Sequence, residues 1–457
     1  MKYCVFICCL FLGELAFADV ILPSMFSDHM VLQQQDQVRI WGWAAPNEDI
    51  VISPSWSNKT YKTKASNQAF WELKIETPKY GGPFQIKING YNELVLKDVL
   101  IGEVWLCSGQ SNMEMPASWG IKNGDQEIAA ANHTNIRFFT APKISAKNPQ
   151  NNILTQWELC TPETMKKSSA LAYFFATKIQ ENLKDVPVGL IVSAWGGTPA
   201  EIWMPENTIT NNDTLKKAAE KLNSSKYGPI EPARAFNSMI NPLIGYTISG
   251  VLWYQGESNG GSTVYDKTLE ALITSWRRLW QKDFPFYLVQ IAPYNYGDNH
   301  FGGVQIRDAQ RRVSNNIPNT EMVVISDVSP IDDIHPKDKK SVGFRLADIA
   351  LKKHYKVIDG LVESPNLSAI TFKKNEAILA FQYADGLHQK NLKSLFEIAG
   401  EDHVFHSAKC KIKDQLITVS SKQVKTPKYV RFAWKNNSQS NIFNKANLPL
   451  SSFTTEN

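Results

Sequence analysis

The chain has 457 residues, 43% of them hydrophobic and 20% charged, with a formal net charge of +5. That length exceeds one ordinary core and implies two or three domains, and the apolar content excludes a disordered chain. Basic residues are scattered, with only short runs such as 337–340, which excludes a nucleic-acid footprint.

Residues 1–18 read as a secretory signal. Lys2 supplies a short positive region, residues 5–12 an apolar run, and Ala16-Phe17-Ala18 a small-x-small cleavage site. The apolar run is too short to anchor the chain in a bilayer, and no later stretch is long and apolar enough to span one. An exported protein, periplasmic or extracellular, is expected, with no membrane association after signal removal. Cys4, Cys8 and Cys9 leave with the signal. Cys107, Cys160 and Cys410 remain, an odd number that allows at most one bridge and excludes a disulfide scaffold.

Residues 19–100 predict an all-β, sandwich-like domain. Short runs at 38–42, 50–52, 70–75 and 84–88 are rich in strand formers, and turn clusters at 45–47, 66–68, 80–83 and 89–90 separate them. Residues 103–107, Glu-Val-Trp-Leu-Cys, form a further strand that breaks at Ser108-Gly109. Ser111 follows at once, flanked by Gln110 and Asn112. A hydroxyl on a tight glycine turn after a strand can serve as a nucleophile, with the turn's N–H groups left to bind an oxyanion. A plain strand-to-loop exit would give the same local pattern, and G-x-S-x-M is not the full G-x-S-x-G elbow.

From there to residue 356 strands alternate with helices. Helical patterns cover 169–183, 265–281, 303–314 and 340–355. Buried strands cover 186–193, 248–254, 285–291 and 322–326. This alternation predicts an α/β domain over 101–356 with a doubly wound, mostly parallel sheet and its site at the carboxyl ends of the strands. Residues 206–235, rich in Asn and Lys, read as an insertion. After 357 the β pattern returns and continues to 457, a C-terminal β domain.

A serine needs a base within reach. Asp332-Asp333-Ile334-His335-Pro336 offers one, since a nearby carboxylate orients the imidazole and stabilises its charged form. The same string also suits a solvated acidic loop. The Ser111 N–H, the Gly196-Gly197 turn and the Gln255 side-chain amide are candidate oxyanion donors. Glu257 reads as site architecture before catalysis.

Four strings carry a resemblance: GEVWLCSGQSNMEMP, SAWGGTPAEIWMP, WYQGESN and DIHPKDKKSVGFRLA, all between residues 101 and 350. In this order they resemble the sialate O-acetylesterase family, a branch of the SGNH-type serine hydrolases. The opening LPSMFSDHMVLQQ is similar to the N-terminal β domain of that family. The resemblance implies a three-layer, flavodoxin-like hydrolase core flanked by β modules. It implies Ser111 as nucleophile, His335 as general base, and Ser111, Gly197 and Gln255 as the oxyanion hole. The orienting acid is Asp332 by the usual spacing, with Asp333 as the rival. Gln110, Asn112 and Glu257 fall to substrate binding. The implied reaction removes O-acetyl groups from a sugar through an acetyl-enzyme, with no metal or cofactor. An O-acetylated sugar or glycan is the expected partner.

Two alternatives stay open: an acetylesterase for plant-type glycans such as xylan or xyloglucan, and a non-catalytic carbohydrate-binding protein, which flanking β modules and abundant aromatics would suit. A glycosidase built on Glu201 and Glu257 would leave Ser111 and His335 unexplained. His403, His406 and Cys410 have ligand-like spacing, but they lie in the C-terminal β module and no H-E-x-x-H string is present.

Overall fold

The computed structural model describes residues 19–184, 186–297 and 301–456. The expected signal at 1–18 lies outside the described residues. No helix among them is long and apolar enough to cross a membrane.

The central sheet is made of β1 (Glu93–Gly109), β2 (His133–Thr140), β3 (Trp157–Cys160), β4 (Val188–Ala194), β5 (Gly250–Tyr254), β6 (Phe286–Val289) and β7 (Thr320–Val323). Their spatial order is β7-β6-β5-β1-β4-β2-β3. All neighbours are parallel except the β2–β3 pair at one edge. Every residue of β4 and β5 is buried, as expected of strands covered on both faces.

Register sorts the two faces. Ser108 of β1 pairs with Trp253 of β5, so these two share a face, and Trp105 points to the other. Trp105 packs edge-on against Phe175 of α1 (Ala170–Leu183) with ring centroids 5.0 Å apart. Trp253 packs against Trp276 of α2 (Tyr265–Trp280), 5.9 Å away and nearly perpendicular. Helices α3 (Gly302–Asn316) and α4 (Lys339–Ile349) complete the layers, α3 beside α2 and α4 beside α1. The result is the doubly wound, mostly parallel α/β core that the strand–helix alternation predicts, with helices on both faces of the sheet. Fully burying such aromatic side chains contributes roughly 1.5–3 kcal/mol each.

Strand β1 belongs to two sheets. Its first half pairs antiparallel with Gly81–Asn89 and parallel with Val31–Gln33. Its second half lies between β4 and β5. The N-terminal β layers, which include the Gln37–Trp43 and Phe70–Glu76 pair, therefore continue into the core without a linker. Where the sheets meet, the Glu103 carboxylate is buried and accepts from Gln34 Nε2 at 2.6 Å, Gln33 Nε2 at 3.1 Å, Tyr355 Oη at 3.0 Å and the Ser249 hydroxyl. A buried carboxylate is tolerated only when its lone pairs are met in this way.

The C-terminal β strands form separate antiparallel sheets, one with the order Asn366–Lys373, Glu376–Gln382, Leu416–Ser420, Lys409–Lys413. Their hydrophobic core is distinct from the one shared by the N-terminal layers and the α/β core. The three cysteines that follow the expected signal are free thiols, and Cys107 and Cys160 are buried.

Candidate active site

Strand β1 ends at Gly109, whose φ of +138° suits glycine alone. A Cβ there would sit 2.1 Å from the Tyr254 carbonyl oxygen. Beyond it the chain turns into a single helical turn, residues 111–114, that starts with Ser111. Gln110 is tied to the end of β5 by its N–H donating to the Tyr254 carbonyl at 2.9 Å. Ser111 thus stands at the carboxyl end of the strand where the sheet order reverses, with β4 on one side and β5 on the other.

His335 reaches the same place from the opposite end of the α/β core. It follows β7 and precedes α4, whose N-cap is Asp338. Ser111 and His335 both line one cleft of about 700 Å³. Gln110, Glu114, Gly197 and Glu257 line it too, with Trp119, Trp195 and Tyr227 as aromatic walls. Tyr227 and Trp119 are 66% and 49% exposed, so flat ring faces are open to a ligand. The Tyr227 wall is fastened by Trp195 Nε1 donating to the Tyr227 carbonyl at 2.8 Å and Ser225 Oγ donating to the Gly197 carbonyl at 3.2 Å.

The electrostatics favour a neutral imidazole. Burial lowers the His335 pKa below its ordinary value, and the Lys339 ammonium lowers it further; Asp333 and Glu114 pull it back up. Glu114 accepts from the Gly196 N–H and from Lys143 Nζ, both at 2.7 Å. Gly196 lies against Ser111: a Cβ built on it would be 3.1 Å from the Ser111 Cβ. Its N–H is committed to Glu114. The next N–H, of Gly197 at φ +74°, has no acceptor among the described residues. Burial raises the Glu257 pKa, against a hydrogen bond from Asn112 and the charge of Lys339.

The family model described as carbohydrate esterase, sialic acid-specific acetylesterase, matches residues 101–352, more than half of the chain. The chain belongs to this family. The sialate O-acetylesterases of Homo sapiens and Pongo abelii are 31% and 30% identical to it, each over 82% of this chain and 79% of the relative. A solved structure of a carbohydrate acetylesterase from Xanthomonas citri superposes with a TM-score of 0.86 at 31% identity, covering 96% of this chain and 99% of that one. The protein is a carboxylic ester hydrolase, a carbohydrate acetylesterase.

Within this acetylesterase the residues expected from sequence separate into three groups. Ser111, His335, Gln110, Gly197 and Glu257 meet at the cleft. Asp333 lies in the His335 loop, its Oδ1 accepting from the His335 N–H at 2.9 Å, whereas Asp332 is exposed. Gln255 and Asn112 do not fit the roles expected of them. Gln255 is fully buried, and its amide nitrogen donates to Asn259 Oδ1 at 2.8 Å and the Thr198 carbonyl at 3.2 Å, so no N–H is left for an oxyanion. Its carbonyl oxygen is also taken, by Tyr265 Oη at 2.8 Å. Asn112 is fully buried beneath the cleft and cannot touch substrate. Glu201 sits in the same interior network, bound by Asn259 Nδ2 at 2.9 and 3.1 Å. Sequence reasoning missed Glu114, Lys143 and the aromatic walls. Glu114 and Trp195 lie inside the motif strings and Trp119 just beyond the first of them, and that was the available signal.

Proposed function

We propose that this chain is an exported serine esterase that removes O-acetyl groups from a sugar. Ser111 Oγ attacks the acetyl carbonyl carbon while His335 takes its proton. The Ser111 and Gly197 N–H groups receive the developing oxyanion. As the intermediate collapses, His335 passes the proton to the departing sugar hydroxyl and leaves an acetyl-Ser111. Water, deprotonated by His335, then releases acetate and restores the serine. Asp333, not Asp332, is the acid that supports the imidazolium, through its charge and through the turn it makes with the His335 N–H. The observation that carries this reading is the shared cleft: residues 111 and 335, far apart in sequence, face one cavity at the switch point of the sheet.

The test is acetate release from O-acetyl sialic acid and acetylated xylo-oligosaccharides, side by side, for wild type and Ser111→Ala. Loss of the nucleophile is expected to lower kcat on the order of 10⁴–10⁶. Wild-type turnover by Ser111→Ala would remove the assignment, and the substrate preferred by the wild type identifies the sugar. Export rests on residues 1–18. N-terminal sequencing of the secreted product is expected to begin at Asp19, and a retained Met1 would refute it.

A further inference from the structure

Asn112 follows the nucleophile and is wholly inside the protein. Both of its amide N–H groups and its carbonyl oxygen are engaged, by three different elements. Its Nδ2 donates to the Ile334 carbonyl at 2.9 Å and to Glu257 Oε1 at 2.7 Å. Its Oδ1 accepts from Lys339 Nζ at 2.6 Å. Lys339 is itself buried, on the first turn of α4, with its ammonium over the Tyr254 ring at 5.4 Å. An ammonium can only donate, so it dictates which end of the amide faces it. With Oδ1 turned to Lys339, both N–H groups must turn the other way, to Glu257 and to the carbonyl immediately before His335. Burying a lysine costs several kcal/mol unless something is gained. Here the charge fixes the direction of a side chain that joins the Ser111 turn to the His335 loop.

We propose that Asn112 and Lys339 are positioning residues: together they hold the Ile334 carbonyl, and with it the His335 ring, where it can exchange a proton with Ser111. The inference rests on the serine–histidine reading above. Glu257 belongs to the same arrangement as the second acceptor for Asn112; its Oε2 is buried and has no hydrogen-bond partner among the described residues. The charged groups around the pair are Glu257 after β5, Asp333 in the His335 loop, Glu114 in the Ser111 turn, and His335 itself. Burial brings the Lys339 pKa down to about 7, against the pull of Glu257 and Asp333. The clamp is therefore charged in mildly acid solution, where His335 also titrates.

The experiment compares Asn112→Ala, Lys339→Met and the double variant with wild type and Ser111→Ala, using p-nitrophenyl acetate, after circular dichroism confirms folding. Misplacing a catalytic group by about 1 Å can cost on the order of 100-fold. Each single variant is expected to lose about 10- to 100-fold in kcat with KM within about twofold, and the double variant to lose no more than Asn112→Ala alone. Lys339→Met is also expected to move the acid limb of kcat/KM to higher pH, because the charge that lowers the His335 pKa is gone; the non-additivity with Asn112→Ala separates positioning from this charge effect. Should Lys339→Met fail to fold, Asn112→Ala alone decides. A folded Asn112→Ala with wild-type kcat overturns the clamp, as do additive losses with an unmoved pH profile. Ser111→Ala separates the two failures: activity retained there sinks the serine reading, whereas an inactive Ser111→Ala beside a fully active Asn112→Ala sinks the clamp alone.

Discussion

In the proposed mechanism His335 must be neutral to accept the Ser111 proton, and its surroundings favour that form. Burial and the Lys339 charge both lower its pKa, so the proton leaves at lower pH than for a free imidazole. The acid limb of kcat/KM is therefore expected below the ordinary histidine value of 6.5. A pH–rate profile with its midpoint at 7 or above would contradict this. The two neighbouring acids part at the same scale. Asp333 faces the His335 backbone and raises the ring pKa; Asp332 is exposed. Asp333→Asn is expected to lower kcat by roughly 10- to 1000-fold and to move the acid limb further down, because the charge that favours the imidazolium is lost. Asp332→Asn is expected to stay within about threefold of wild type. Steady-state kinetics of both variants across pH 4–8 check the pair, and the larger loss in Asp332→Asn would reverse the choice.

Among elements, the segment between the helix Asp213–Ala219 and residue 230 changes most between sequence and structure. It lies within 206–235, whose Asn- and Lys-rich sequence reads as an insertion; in the structure residues 222–227 and 230 form one wall of the cleft. No local pattern marks this, because the wall is held by contacts from Trp195 and Gly197 on another loop. Tyr227→Ala is expected to raise KM for an acetylated oligosaccharide roughly threefold or more, since one aromatic face contributes on the order of 1 kcal/mol, and to leave p-nitrophenyl acetate hydrolysis unchanged. Equal KM values for the oligosaccharide would exclude the wall from sugar binding. The strand–helix alternation was readable because long apolar runs and amphipathic helices dominate it; the expected helix at 169–183 is observed as Ala170–Leu183 behind a Ser169 cap. Sequence patterning marks neither β2 nor β3, because the buried run of β2, 136–139, includes Arg137, and β3 carries Glu158 and only two buried residues. For Gln255 the strand end was read from sequence, but the side-chain direction was not. That direction is set by Asn259 and Tyr265, whose approach is a property of the fold.

At the scale of the whole molecule, the two β regions attach differently. The N-terminal layers share one core and the strand β1 with the hydrolase sheet, so they cannot separate without breaking it. The C-terminal sheets have their own core and are fastened by polar contacts centred on Arg307 of α3. This buried guanidinium donates to the Lys435 carbonyl at 2.7 Å, the Asn436 carbonyl at 2.9 Å and Ser452 Oγ at 3.4 Å. Burial lowers its pKa to about 10, with Tyr296 acting in the other direction, so it stays charged at neutral pH. Gln290 beside it donates to Ser451 Oγ at 2.7 Å. Arg307→Ala would remove two charge-assisted hydrogen bonds, leaving the Asn436 and Lys435 carbonyls only the Tyr294 and Ser438 N–H groups, at a cost of about 2–5 kcal/mol. Because the C-terminal core is separate, that loss falls on docking before it reaches the sheet bearing Ser111. Differential scanning calorimetry of Arg307→Ala is expected to resolve a low-temperature transition for the C-terminal sheets ahead of the main one. At 25 °C, p-nitrophenyl acetate turnover is expected within about threefold of wild type, since none of the residues lining the cleft belongs to the C-terminal sheets. One transition at the wild-type temperature would show that Arg307 does not carry the docking, and a collapse of turnover with folding intact would show that the C-terminal sheets shape the cleft after all.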